Sequence, residues 1–186
     1  MDIIQKLKSL EQESRMRGIP IIGSEKGRWL LSFVQKNKPQ HILELGTANG
    51  YSGIILGSES GEVLTIERDA KIAAEAKENF TQFKINAEVI VGDGMIVISK
   101  LVKEKSFFFD LIFIDFAKKK YVTILNDCLT LVKNGGYIIA DNITMAGCQD
   151  FKQAVLTHPL LQTELINIGD GLSCSEVTKD EHQQRS

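Results

Sequence analysis

Cysteine, histidine and proline are scarce in this sequence, with three of each in 186 residues. Cys128, Cys148 and Cys174 are an odd set without zinc-type spacing, so they predict reduced, structural thiols rather than a disulfide framework or a thiolate metal site. His41, His158 and His182 are scattered, which leaves a zinc centre or a His-based triad without support. Neither sign of charge dominates: 22 Lys and Arg stand against 24 Asp and Glu, a net charge of −2. Such a balance carries no global basic footprint for nucleic acid or an anionic membrane. Long hydrophobic runs are missing too. The longest, around Phe107 to Ile114, is broken by Asp110 and too short to span a bilayer, and the N-terminus has no signal-peptide pattern. The expectation is a soluble, cytoplasmic protein without internal repeats.

What the sequence has is a row of acids. Five short apolar runs end in Glu44, Glu67, Asp93, Asp115 and Asp141, each followed by a helix-like stretch. Runs rich in β-branched residues and alternating with helices read as buried parallel strands. In an open α/β sheet the ligand lies outside the carboxyl ends of the strands, so the five acids should line one site. Two further runs, Thr163 to Ile168 and Leu172 to Val177, are joined by Gly169, Asp170 and Gly171, a turn short enough only for antiparallel neighbours. The predicted fold is therefore α/β and Rossmann-like, a seven-stranded, mostly parallel sheet with an antiparallel C-terminal hairpin strand at its edge and helices on both faces. Residues 1–186 are expected to form one domain, with N-terminal helices or a lid over 1–40, the core over 41–178 and a flexible tail over 179–186.

Helix signals are less uniform. A first helical stripe, Ile3, Ile4, Leu7 and Leu10, stops near Gly18 and Pro20, and a second helix is predicted from Ser24 as N-cap to the residues before Pro39. The stretch from Lys118 to Lys133 repeats apolar residues at helical spacing, and Gly135 and Gly136 are expected to cap it.

The glycine loop discriminates between cofactors. A dinucleotide fingerprint needs three glycines close to a pyrophosphate, whereas Gly46 and Gly50 here flank Thr47, Ala48 and Asn49. A dehydrogenase is thereby disfavoured. Glu67, about 20 residues beyond the loop, is positioned to accept from both ribose hydroxyls, with a solvated strand-end acid paired to Arg68 as the alternative. Asp93, between Gly92 and Gly94, is either a partner for an adenine amino group or the N-cap of the next helix. A nucleoside ligand without phosphates satisfies all three features.

Asp115 and Asp141 end runs separated by one helix, and Asn142 adds a third oxygen. Two carboxylates and an amide carbonyl are hard donors suited to Mg²⁺, or to Mn²⁺ or Ca²⁺; alternatively Asp115 caps a helix and Asp141 with Asn142 makes a turn.

The segments 43–52, 109–121 and 135–142, together with Gly169 to Leu172, resemble the cation-dependent O-methyltransferases of the catechol and caffeoyl-coenzyme A type. The resemblance implies the class I methyltransferase fold, S-adenosyl-L-methionine as cofactor and a divalent metal. The cofactor set it implies is Glu44, Gly46, Thr47, Gly50, Ser52, Glu67, Arg68, Asp93, Gly94 and Asp115. Within it Gly46, Gly50 and Ser52 match the loop around the methionine moiety, and Glu67 matches the ribose-binding acid. Asp115, Asp141 and Asn142 match the metal triad, and Lys118 the general base. A lysine in the first turn of a helix opposes the helix dipole, a misfit understandable if Lys118 points into the site while Lys119 and Lys120 stay on the surface.

Relatives of this type usually carry an aromatic pair or Ala-Asp before the lysine, where Phe116 and Ala117 stand here, so no bulky clamp over a flat ring is expected at Ala117. Ile21, Ile22, Lys26, Thr144 and Met145 are the candidate lid residues. The reading that follows is an O-methyltransferase acting on a small catechol-like or vicinal-diol acceptor, with a homodimer sealed by the N-terminal helix as one arrangement. Two others stand beside it. One is a tRNA hydroxynucleoside O-methyltransferase using Lys26, Arg28 and residues 118–120 against phosphates; the other is a non-catalytic nucleoside-binding module.

Overall fold

The computed structural model describes residues 2–104 and 108–178. The expected tail over 179–186, with His182, lies outside the described residues. Helices α1 (Ile3–Lys6), α2 (Lys8–Met16) and α3 (Gly23–Asn37) precede β1 (His41–Leu45). There follow α4 (Tyr51–Leu56), β2 (Glu62–Glu67), α5 (Ala70–Phe83), β3 (Ala87–Val91), α6 (Gly94–Glu104) and β4 (Phe109–Ile114). The chain then runs through α7 (Tyr121–Leu131), β5 (Val132–Asp141), α8 (Gln149–Thr157), β6 (Leu161–Ile166) and β7 (Leu172–Val177).

The seven strands form one sheet in the order β3-β2-β1-β4-β5-β7-β6. The first five are parallel, and β7 runs antiparallel to both β5 and β6. The hairpin is thus present, but its antiparallel member lies inside the sheet and not at the edge. A two-strand return must place one strand beside β5, and the later strand takes that position, pairing Asp141 with Leu172.

Period-2 alternation divides the core. Leu43, Leu45, Ile112, Ile114 and Ile138 face a cluster completed by α6, α7 and α8, while Ile42, Leu111, Phe113 and Ile139 face one completed by α1, α3, α4 and α5. Burial on both faces explains why these strands read as continuous apolar runs. In α7, Tyr121, Ile124, Leu125, Cys128 and Leu129 form the buried stripe. Asp69 caps α5 by accepting from the Lys71 and Ile72 backbone N–H groups at 2.8 and 3.2 Å.

Two local expectations fail. Ser24 lies inside α3, which begins a residue earlier at Gly23, and its N–H donates to Glu11 Oε1 at 3.2 Å, so a carboxylate from α2 satisfies an N-terminal donor of α3. Gly135 and Gly136 do not cap α7, which ends at Leu131; they lie within β5, where the register against β4 shifts between Phe109 and Leu111. Gly135 has φ 73°, and a Cβ on Gly136 would come within 3.0 Å of the Asp110 carbonyl oxygen, so the glycines serve a bulge. No helix among the described residues is long and apolar enough to cross a membrane.

Candidate functional site

The strand order reverses between β1 and β4, and the carboxyl ends of β1 to β4 open there onto one cavity of about 420 Å³. Ladder bonds continue past the strands and align their ends: Asp115 N–H donates to the Leu45 carbonyl at 2.8 Å, and Gly46 N–H to that of Ile66 at 3.0 Å. Gly46 has φ 102°, and a Cβ there would lie 2.1 Å from the Asp115 carbonyl oxygen. No other residue allows the loop to cross β4 so closely.

Of the expected cofactor set, Gly46, Thr47, Ser52, Glu67, Arg68, Asp93, Gly94 and Asp115 line this cavity. Glu67 is tied to the glycine loop, its Oε2 accepting from Ala48 N–H at 2.9 Å and its Oε1 from Asp69 N–H at 3.0 Å. Asp93 does cap α6, accepting from Met95 N–H at 2.8 Å, while still facing the cavity. Glu44 and Gly50 do not line it. Gly50, at φ 92°, supplies the turn into α4 against Phe80, and Glu44 lies beneath the loop.

Glu44 is fully buried and accepts from the Ser52 and Thr65 hydroxyls, the latter at 2.6 Å. Burial pushes its carboxyl up to about 7 against the pull of those two hydroxyls, and the charges of Asp115 and Glu67 add to the rise. The native state therefore holds this proton across a window, from the ordinary value of 4.5 to about 7, in which the unfolded chain has lost it. The associated stability is fully present below 4.5 and is lost as pH rises through about 7. Glu44→Gln removes the ionisation, and its stability relative to the parent should grow by on the order of 3 kcal/mol between pH 4.5 and 8. Urea unfolding of both proteins across that range checks it; a difference constant with pH would mean Glu44 is ionised throughout.

The second half of the cavity is polar and cationic. Lys118, in a 3₁₀ turn before α7, lines it and donates from Nζ to Asp115 Oδ1 at 2.8 Å. Lys119 is exposed and away from the cavity, whereas Lys120 reaches its rim. Phe116, stacked on Tyr121 at 5.7 Å between ring centres, supplies an apolar wall with Ile66 and Met95. Ile66 and Met95 stand close to strand-end acids in the sequence, whereas Pro20 comes from a distant segment that no motif marks.

Asp141 ends β5, is 2% exposed and, like Asn142, does not line the cavity, so that of the five strand-end acids only Glu67, Asp93 and Asp115 do. Its Oδ1 accepts from the Asn142 backbone N–H at 2.7 Å and from the Lys26 ammonium, which also donates to Asp170. Burial, aided by the charge of Asp115, pushes the Asp141 carboxyl up to about 6 although Lys26 opposes the rise. Asn142 donates from Nδ2 to Asp170, and its Oδ1 is buried with no hydrogen-bond partner. Among the described residues no group of three or more His, Cys, Asp or Glu side chains is gathered as a metal cluster. Asp115 and Asp141, the acids expected to hold an ion, each accept from a lysine, Lys118 and Lys26 respectively.

Lys26 is thus neither a lid residue nor free for a phosphate: it is 6% exposed and paired with two carboxylates. Arg28 is exposed but lies outside the cavity, as do Ile22, Thr144 and Met145, leaving Ile21 with Pro20 and Ala117 at its border.

Comparison with known proteins places the chain in a family. The model of the O-methyltransferase family matches residues 2–155. A catechol O-methyltransferase of Niastella koreensis is 34% identical over 70% of this chain and 62% of its own length, and one of Sus scrofa is 31% identical over 70% and 74%. The chain therefore spans under two thirds of the Niastella protein. The crystal structure of an O-methyltransferase from Bacillus cereus in complex with SAH superposes with a TM-score of 0.81 at 25% identity, covering 94% of this chain and 90% of that one. The chain belongs to the O-methyltransferase family.

Proposed function

We propose that the protein is an S-adenosylmethionine-dependent O-methyltransferase acting, with a divalent cation, on a hydroxyl of a small catechol-like or vicinal-diol acceptor. The observation that carries this reading is the shared cavity: the Gly46 loop and Glu67 border one part of it, and the Asp115–Lys118 pair borders another. Cofactor and acceptor chemistry would then meet within one enclosure. The catechol O-methyltransferases among the relatives support the acceptor class.

Glu67 is the proposed ribose acceptor. Each of its oxygens already takes one backbone N–H, which fixes the carboxylate and leaves further lone pairs for two hydroxyls. Glu67→Ala should weaken cofactor binding roughly 10- to 150-fold, the equivalent of about 1.5 to 3 kcal/mol for bonds to a charged acceptor. Calorimetry showing unchanged affinity would remove Glu67 from the site.

Asp115, Asp141 and Asn142 fit a hard divalent ion, with Mg²⁺ first and Mn²⁺ or Ca²⁺ suited to the same oxygen donors. The fit rests on the donor set and on the buried, unpartnered Asn142 Oδ1. Such an ion, when bound, supplies Lewis acidity that lowers the pKa of an acceptor hydroxyl, and the cofactor supplies a methyl group on a sulfonium. Lys118, as the neutral amine, which still donates an N–H to Asp115, is the proposed receiver of the hydroxyl proton as the oxygen–carbon bond forms and the carbon–sulfur bond breaks. The rest of the cavity aligns the two reactants, excluding water with Phe116, Met95 and Ile66.

A methyl-release assay tests the reading against catechols, hydroxycinnamoyl thioesters and hydroxylated nucleosides, with and without Mg²⁺. Mg²⁺-dependent turnover of a catechol-type acceptor is expected. Turnover confined to nucleosides, or none while the cofactor binds, would overturn the acceptor class.

A further inference from the structure

Asn142 has an amide whose two ends are not equivalent, and its surroundings allow only one orientation. Nδ2 donates to Asp170 Oδ2, and a carboxylate can only accept. Turning the amide over would set Oδ1 against that carboxylate and leave two oxygens without a proton between them. Oδ1 is therefore directed away from Asp170, where it is buried and has no hydrogen-bond partner.

Asp170 is itself immobilised. Its backbone carbonyl accepts from Thr144 N–H at 3.0 Å and from Thr144 Oγ1 at 2.8 Å, and its Oδ1 accepts from Lys26. The turn that carries it packs so closely that a Cβ on Gly171 would lie 2.9 Å from Ile143 Cγ2. Lys26 extends the same restraint to Asp141, whose Oδ1 also takes the Asn142 backbone N–H. Asn142 sits at φ 59°, a left-handed conformation that asparagine tolerates better than other side-chain-bearing residues. Three distant segments, α3, the end of β5 and the β6–β7 turn, thus converge on one amide.

We propose that Asp170, anchored by Lys26, is a positioning residue that fixes the Asn142 amide with its oxygen presented as a ligand to a divalent cation. The inference rests on the metal reading above and assigns Asp170 a role outside the coordination sphere. Groups that orient metal ligands in this way typically alter metal affinity 10- to 100-fold when replaced.

The test is calorimetric titration of the full chain with Mg²⁺ and with Mn²⁺, in the absence of cofactor and acceptor. Asp170→Asn keeps the shape of the side chain but offers either a donor or an acceptor, so the Asn142 amide can turn over. Metal affinity should fall about 10- to 100-fold, while SAH affinity, set by β1 and β2, stays unchanged and reports an intact fold. In an Asn142→Asp background there is no amide to orient at that position, and the amide that Asp170→Asn introduces can donate to the new carboxylate. There Asp170→Asn should weaken metal binding little or strengthen it. A merely structural staple predicts the same loss in both backgrounds, and that result, or an unchanged affinity in the first, would overturn the proposal. If Asp141→Asn abolishes metal binding while Asp170→Asn preserves it, the positioning role fails and the metal reading stands. Absence of metal binding by the unsubstituted protein would overturn both.

Discussion

Asp141→Asn should reduce methyl transfer to the background rate while cofactor affinity stays close to that of the parent. On the proposed assignment the two functions separate, because the Gly46 loop and Glu67 follow β1 and β2, whereas Asp141 ends β5. Asparagine preserves the shape of the side chain and removes its charge, and a hard divalent ion depends on carboxylate charge among its oxygen donors. Asp141 is also a partner of Lys26, and breaking a buried ion pair can by itself cost several kcal/mol. Here Lys26 keeps Asp170, so part of that cost is avoided. Thermal melting in excess chelator measures the structural cost without any contribution from an ion. SAH titration then reports whether the Gly46–Glu67 side of the cavity is intact. Chelator should reproduce the loss of turnover in the parent, and added Mg²⁺ should restore the parent but not the variant. Equal turnover by the parent with and without chelator would sink the metal reading and leave Asp115 and Asp141 as partners of Lys118 and Lys26.

The parts of this fold legible in the sequence are those governed by local periodicity. Five apolar runs ending in acids mark β1 to β5 because a strand buried on both faces must be apolar throughout and its end must meet solvent or ligand. The stripe from Tyr121 to Leu129 marks α7 for an equally local reason, since residues three and four apart share a face. The errors come where a distant partner decides. Gly135 and Gly136 resemble a helix cap until β4 is seen beside them, because both a cap and a bulge need positive φ. Ser24 resembles an N-cap, but α2 supplies Glu11 to its N–H.

The site divides in the same way. Glu67 and Asp115 are identifiable because strand ends in an α/β sheet converge, which needs only the order of the elements. Glu44 has the same local pattern yet lies under the loop, since its position in β1 directs it to the face covered by α4 and α5, where Ser52 meets it. Lys26 shows the limit most clearly. Beside Gly27 and Arg28 it looks like exposed charge, and only the closure of α3 over β5 and the β6–β7 turn converts it into the partner of two carboxylates separated from it by 115 and 144 residues.

For Lys118 the expected result is a fall in the methyl-transfer rate of about 10²- to 10⁴-fold on substitution by alanine, the usual contribution of a general base. Its Nζ lies 2.8 Å from Asp115 Oδ1 and its side chain borders the cavity, so it can reach an acceptor hydroxyl without disturbing the Glu67 end. Cofactor affinity should change little. The loss of the ion pair with Asp115 is a smaller matter, because the lysine side chain is 30% exposed and solvent screens such pairs to about 1 kcal/mol or less. Lys119→Ala provides the control for charge: it removes the same cation from the adjacent position, but that side chain is exposed and away from the cavity. Lys120 is unsuitable for this purpose, since it reaches the rim. Single-turnover rates at saturating acceptor and cofactor isolate the chemical step, and a pH series adds a second signature. If Lys118 accepts the proton, raising the pH should partly rescue Lys118→Ala, because an acceptor that ionises in solution no longer needs a base. Lys119→Ala should follow the parent at every pH. Equal small effects of both substitutions would mean that residues 118–120 supply only surface charge and that the acceptor hydroxyl loses its proton without them.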